Sequence, residues 1–110
     1  TGRLREMGLE AVPILMTALR DADGNVRTAA VESLAQIRPT LLLAPAFLQS
    51  GLNDPHLSVR VAMIKALGAC GAEAVQAVPL LKPLLNDPKY LVRTMTAEAL
   101  KNIQPTSLSP

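Results

Sequence analysis

The sequence predicts an all-α protein, an α-α superhelix (a solenoid) of about three helical hairpins. Three observations point there. A period of 33 residues runs through the chain without a gap. Within each period, apolar residues recur at intervals of three and four, the spacing of one helix face, and nothing alternates with period two over the length of a strand. About half of the 110 residues are apolar, yet there is one Phe, one Tyr and no Trp. Leu, Val, Ile, Met and Ala must therefore build the core, which suits thin helix-on-helix layers better than a thick core around a sheet.

The period is carried by whole columns of residues. Val26, Val59 and Val92 stand 33 residues apart, each followed by Arg27, Arg60 or Arg93. Asp21, Asp54 and Asp87 keep the interval, as do Leu19, Leu52 and Leu85. Leu34, Leu67 and Leu100 form another column, and so do Leu15, Leu48 and Leu81. A further column holds Leu4, Ile37, Cys70 and Ile103.

Each copy reads as two helices. In the first half, Leu9, Val12, Leu15 and Leu19 share one face; Leu42, Pro45, Leu48, Leu52 and Val75, Val78, Leu81, Leu85 follow. In the second half the stripes are Val26, Ala30, Leu34, Ile37, then Val59, Met63, Leu67, Cys70, then Val92, Thr96, Leu100, Ile103. Polar breaks separate the halves: Asp21-Ala22-Asp23-Gly24, Asn53-Asp54-Pro55-His56 and Asn86-Asp87-Pro88-Lys89. First helices are thus expected near 9–20, 41–52 and 74–86, and second helices near 24–37, 56–70 and 89–103. Pro13, Pro45 and Pro79 fall near first-helix starts, where a missing N–H costs little. Pro83 lies inside the third first helix and should kink it or delay its start. Gly71 is placed for a left-handed cap.

The expected organisation is one repeat domain over residues 1–104, with repeats at about 5–37, 38–70 and 71–103, and a flexible tail at 105–110. A pair of short helices cannot bury its stripe alone, so neighbouring repeats must stack. Leu4 shares the column of Ile37, so the first residues look like the tail of a preceding second helix, and neither end carries a polar capping repeat. The expectation is a piece of a longer solenoid. The alternative is a small protein whose unsealed ends self-associate.

The pattern Gly8-Leu9-Glu10-Ala11-Val12-Pro13, Leu19-Arg20-Asp21, Val26-Arg27, Ala29-Ala30, Leu34 and Ile37 resembles the HEAT repeat, a HEAT/armadillo-like unit. It is most similar to the HEAT-like subtype first noted in phycobilisome-lyase proteins. Ala77-Val78-Pro79-Leu80-Leu81 with Asp87-Pro88 and Val92-Arg93 resembles it too, whereas in Leu41-Leu42-Leu43-Ala44-Pro45 the proline arrives one residue early. The resemblance covers nearly all of the chain before the tail. It implies a curved right-handed superhelix with second helices on the inner, concave face. It says little about function, since the family spans scaffolds, transport receptors, enzyme subunits and adaptors.

The Arg27, Arg60, Arg93 and Asp21, Asp54, Asp87 columns admit two readings: a basic ladder for an acidic ligand, or structural contacts. In the second, each Arg bonds turn carbonyls or an Asp of its own or the next repeat, and each Asp caps a second helix. Strict periodicity favours the structural role, because a ligand rarely needs the same contact at every rung.

The candidate protein-binding surface is the polar side of the second helices. It comprises Asn25, Thr28, Glu32 and Gln36, then Ser58, Val61, Lys65 and Ala69, then Leu91, Thr94, Glu98 and Asn102. These positions change chemistry from copy to copy. Varied rungs on a regular frame are what a partner-specific surface needs; free drift on a solvated face gives the same pattern. Leu43, where other copies have Glu10 and Gln76, joins Leu41, Leu42 and Phe47 to make one helix apolar nearly all round. That suggests contact with a missing segment or a partner, unless Pro45 rotates the helix and buries Leu43.

Catalysis and cofactors are not expected. Cys70 replaces Ile in a core column and reads as a buried apolar thiol. His56 is the one histidine, in a turn, and with Cys70 makes no metal site. The His-Glu dipeptides of iron-binding HEAT-like enzymes are missing, as are a phosphate-cradling Gly-rich loop and a triad. Tyr90, at a helix start, reads as surface packing. A net charge of +2 argues for neither nucleic acid nor an anionic membrane. Lys82, Lys89, Arg93 and Lys101 are too sparse, and too mixed with Asp87 and Glu98, for a basic stripe. No apolar run reads as approaching the roughly 20 residues of a membrane span. With one cysteine and no signal-peptide pattern, an intracellular, cytoplasmic protein is expected. Its expected function is a protein-binding scaffold or adaptor for an unidentified protein partner. A phycobilisome-associated or bilin-lyase subunit and a nucleic-acid-binding domain are the alternatives.

Overall fold

The computed structural model describes residues 10–104. The start of the first repeat, with Leu4, and the tail 105–110 lie outside them. Among the described residues there are helices and no strands. In order these are α1 (Val12–Ala18), α2 (Gly24–Ile37), a 3-10 segment Pro39–Leu43, α3 (Pro45–Leu52) and α4 (Leu57–Cys70). A 3-10 segment Gly71–Ala77, α5 (Val78–Leu81), a 3-10 segment Lys82–Asn86 and α6 (Tyr90–Ile103) complete the chain. The protein is an all-α superhelical stack.

The second helices α2, α4 and α6 hold the period to the residue. Each has 14 residues, and each follows a residue with φ between −85° and −89° and ψ between 120° and 122°. Identical breaks thus restart the helix at identical places. Leu34, Leu67 and Leu100 are fully buried. α4 packs against α2 on one side and α6 on the other. Gly68 allows that approach: a Cβ there would lie 3.1 Å from both Cα and Cβ of Ala99. The valine column shows the stacking directly, with Val26 36 % exposed while Val59 and Val92, each with another repeat before it, are 2 % and 0 %.

The first helices depart from expectation. Instead of three continuous helices over 9–20, 41–52 and 74–86, the second copy runs as 3-10 then α, and the third as 3-10, α, 3-10. Proline explains the breaks. Pro45 opens α3, and Pro83 sits in the first turn of Lys82–Asn86, where no α-helical N–H bond is lost. Pro13 and Pro79 occupy first turns as expected. Gly71 ends α4 with φ +63° but ψ −138°, so it is not the left-handed cap its position suggested. The positive φ turns the chain straight into the next 3-10 segment, a backbone state that suits glycine.

Further expectations change with packing. Leu43 is half-buried and lies against the core with Leu41, so the apolar first helix of repeat two faces inward. Cys70 is half-buried, not fully buried. Residues Leu57–Asn86 form a run long and apolar enough, by composition, to span a membrane, contrary to the sequence reading. Half of its most apolar window is buried within the protein, and it is broken at Gly71 and again where α5 gives way to 3-10 geometry. Those features are those of a core built from two repeats.

Candidate functional site

At each polar break the Asp and Arg columns make a closed turn. Oδ1 of Asp21, Asp54 and Asp87 accepts the backbone N–H two residues on, from Asp23, His56 and Lys89, each at 2.8 Å. This corrects the capping assignment. The N-cap residues are Asp23, His56 and Lys89, and of these Asp23 alone accepts a helix N–H on its side chain, from Asn25 at 2.9 Å. The column Asp stands two residues earlier, too far back to reach the second or third amide of the helix, so it orients the N-cap residue instead. The Arg closes the turn from the other side. Arg27 Nη1 donates to the carbonyls of Asp21 and Ala22, Arg60 to that of Asp54, and Arg93 to those of Asp87 and Pro88. Arg93 also lies over the Tyr90 ring, 5.7 Å from its centroid.

Arg27 does more. Its Nε and Nη2 reach Asp54 of the next repeat. Burial pushes the Asp54 carboxyl up, but the Arg27 bond and the His56 amide outweigh it and hold the group below the ordinary carboxylate value. Arg27 is held above its ordinary value, first by its bond to Asp54. Among the described residues no ion pair joins Arg60 to Asp87.

The candidate binding positions divide. Thr28 and Glu32 of α2, Ser58, Val61 and Lys65 of α4, and Leu91 of α6 line one shallow groove across three successive second helices. Leu57 and Ala62 form part of the same groove. Sequence reasoning missed both, because Leu57 stands where the other copies have Gly24 and Tyr90, a column without a fixed character. Leu91 is 48 % exposed. Glu32 and Lys65 are exposed and have no ion-pair partner among the described residues. Thr28 donates its hydroxyl to the Gly24 carbonyl at 2.8 Å, which leaves its methyl and the oxygen's acceptor lone pairs for a partner.

Asn25, Gln36, Ala69, Thr94, Glu98 and Asn102 are exposed outside this groove. Asn25 accompanies His56 across the seam, Oδ1 to Nε2 at 3.4 Å, and the Thr94 hydroxyl bonds the Tyr90 carbonyl. His56 also packs over Gly24, so closely that a Cβ there would run into the imidazole ring. Its turn position gave no sign of that contact. Among the described residues no three His, Cys, Asp or Glu side chains cluster to hold a metal.

Comparison with protein families places these features in context. The family described as HEAT repeats matches residues 44–109, more than half of the chain, and the HEAT repeat matches residues 11–37. The chain belongs to the HEAT repeat family. Neither match singles out the phycobilisome-lyase subtype. No curated protein and no solved structure matched the chain. HEAT repeats generally serve as protein-interaction scaffolds and are generally not enzymes.

Proposed function

We propose that this HEAT-repeat chain is a scaffold or adaptor segment that holds a protein partner on the face formed by α2, α4 and α6. The observation that carries the reading is the groove shared by the three helices. Its walls come from the columns that vary between copies, while the invariant columns are spent on the core and the turns. The groove combines apolar surface at Leu57, Val61 and Leu91 with two unpaired charges of opposite sign, Glu32 and Lys65. Apolar contact with a charged rim is the usual composition of a protein interface. The remaining expected positions, from Asn25 to Asn102, are exposed residues of the same three helices. Parent-protein context, self-association and the bilin-handling role suggested by the subtype resemblance are finer readings that the groove does not require.

The test uses a photo-crosslinking residue at position 65, with position 49 on α3 as the control, in extracts of the source cell. Specific crosslinks from position 65 are expected. Against the crosslinked protein, Lys65→Glu should weaken binding about tenfold; charged interface contacts are worth this much or more. Equal crosslinking from both positions, or an affinity unaffected by Lys65→Glu, would assign the variable face to drift.

A further inference from the structure

A second concavity lies elsewhere, on the seam between the first two repeats, and shares no residue with the groove. Its volume is about 140 Å³. An engineered apolar cavity of about 150 Å³ admits benzene. Leu19, Val31, Leu42, Phe47, Val59 and Met63 supply the apolar walls, and Met63 is a flexible floor that can adjust to an occupant. Arg20, Arg27, Ser50 and Asp54 line it as well. Of these, Arg27 and Asp54 are committed to each other, and Asp54 Oδ1 also takes the His56 amide.

Arg20 is the remaining cation at the mouth. It is exposed, and its side chain makes no hydrogen bond or ion pair among the described residues, while its backbone N–H bonds the Thr17 carbonyl. Arg20 and Phe47 continue into an adjoining recess, where Asp21 lies. The Asp21 carboxylate opposes a second negative charge on that side, which favours a ligand with one.

We propose that this seam binds a small organic monoacid, with a benzene-sized apolar group in the cavity and its carboxylate on the Arg20 guanidinium. A planar guanidinium suits a carboxylate, and the apolar part of the wall suits a ring. Bound there, the acid would touch Leu19, just past the end of α1, together with α2, α3 and α4, and so tie the two repeats together.

Phenylacetate is the probe, followed by methyl NMR at Val31, Leu42 and Met63 and by thermal unfolding of the full chain. Saturable shifts at those methyls are expected, with a dissociation constant of about 1 mM, in the range open to a ligand of this size. Acetate should leave the methyls unmoved, and phenylacetamide should bind about three- to fivefold more weakly, the loss of one exposed ion pair. Arg20→Gln should bring phenylacetate down to the level of the amide. Ala46→Phe puts a ring at the mouth from an exposed position and should abolish the shifts; Ser50→Phe, one turn on, does the same should Ala46→Phe not fold. Acid and amide binding alike in the native chain, shifts that persist in the folded Phe variant, or no saturable shift would each overturn the proposal.

Discussion

Arg27 clasps Asp54 across the seam between the first two repeats with two parallel bonds, Nε to Oδ2 at 2.8 Å and Nη2 to Oδ1 at 2.9 Å. The two side chains are 27 residues apart and both largely shielded from solvent. Arg60 and Asp87 occupy the same columns one period later, without such a clasp. The difference lies in how the chain arrives. Asp54 follows the α-helix α3, whereas Asp87 follows the 3-10 segment Lys82–Asn86. The rise per residue differs by about 0.5 Å, or roughly 2.5 Å over five residues, more than a bidentate pair tolerates.

Asp54→Ala should therefore cost more than Asp87→Ala. The first loses the clasp, leaves Arg27 without its partner and frees the His56 amide, an expected loss of about 2–4 kcal/mol. The second loses one amide bond, about 1 kcal/mol. Urea unfolding of the two variants measures the difference, and equal losses would deny the clasp its role.

The same clasp gives a pH dependence. The folded Asp54 carboxyl binds its proton less tightly than the unfolded one, so its contribution is present above the unfolded value of about 4. As pH falls, the unfolded chain takes the proton first and the contribution fades, until it is gone below the folded value. Asp54→Asn should flatten the acid limb of a stability-pH curve; an unaltered limb would place the acid sensitivity elsewhere.

Gly24 and His56 should be coupled. Gly24→Ala drives a methyl into the imidazole and should destabilise by about 1–2 kcal/mol. In a His56→Ala background the same change should be neutral or stabilising, because alanine loses less backbone entropy than glycine. A double-mutant cycle reads the coupling directly, and additive effects would contradict it.

Thr96 sits in the column of Ala30 and Met63, is 0 % exposed, and its hydroxyl has no hydrogen-bond partner among the described residues. Thr96→Val keeps the shape and removes the unsatisfied hydroxyl. A gain of about 1 kcal/mol is expected, read as a higher unfolding midpoint; a loss would mean that the hydroxyl is bonded in solution.

Burial, and then the nearby Glu73 charge, push the Cys70 thiol up from its ordinary value. With less thiolate at a given pH, its alkylation by iodoacetamide at pH 8 should be slower than that of a free cysteine peptide. As Cys70 is the one cysteine, a single adduct by mass reports the rate. Faster alkylation than the peptide would refute the packing described around it.

The sequence alone determined the fold class, the period and the three second helices, since each of these depends on local rules repeated at 33-residue intervals. An apolar stripe at helical spacing makes a helix amphipathic wherever it occurs, and a polar break restarts it; α2, α4 and α6 thus begin and end where their columns say. Prolines were visible too, but whether Pro83 kinks a helix or starts a 3-10 turn depends on what the neighbouring repeat can accommodate. Only the tertiary structure decided that Leu43 faces inward, that Arg27 spans a seam while Arg60 does not, and that half of the variable positions meet in one groove with Leu57 and Ala62. Those outcomes depend on distances between residues far apart in the chain, which shift by ångströms when one repeat turns more tightly than the next. A one-dimensional period records which residues correspond, and leaves open which of them touch.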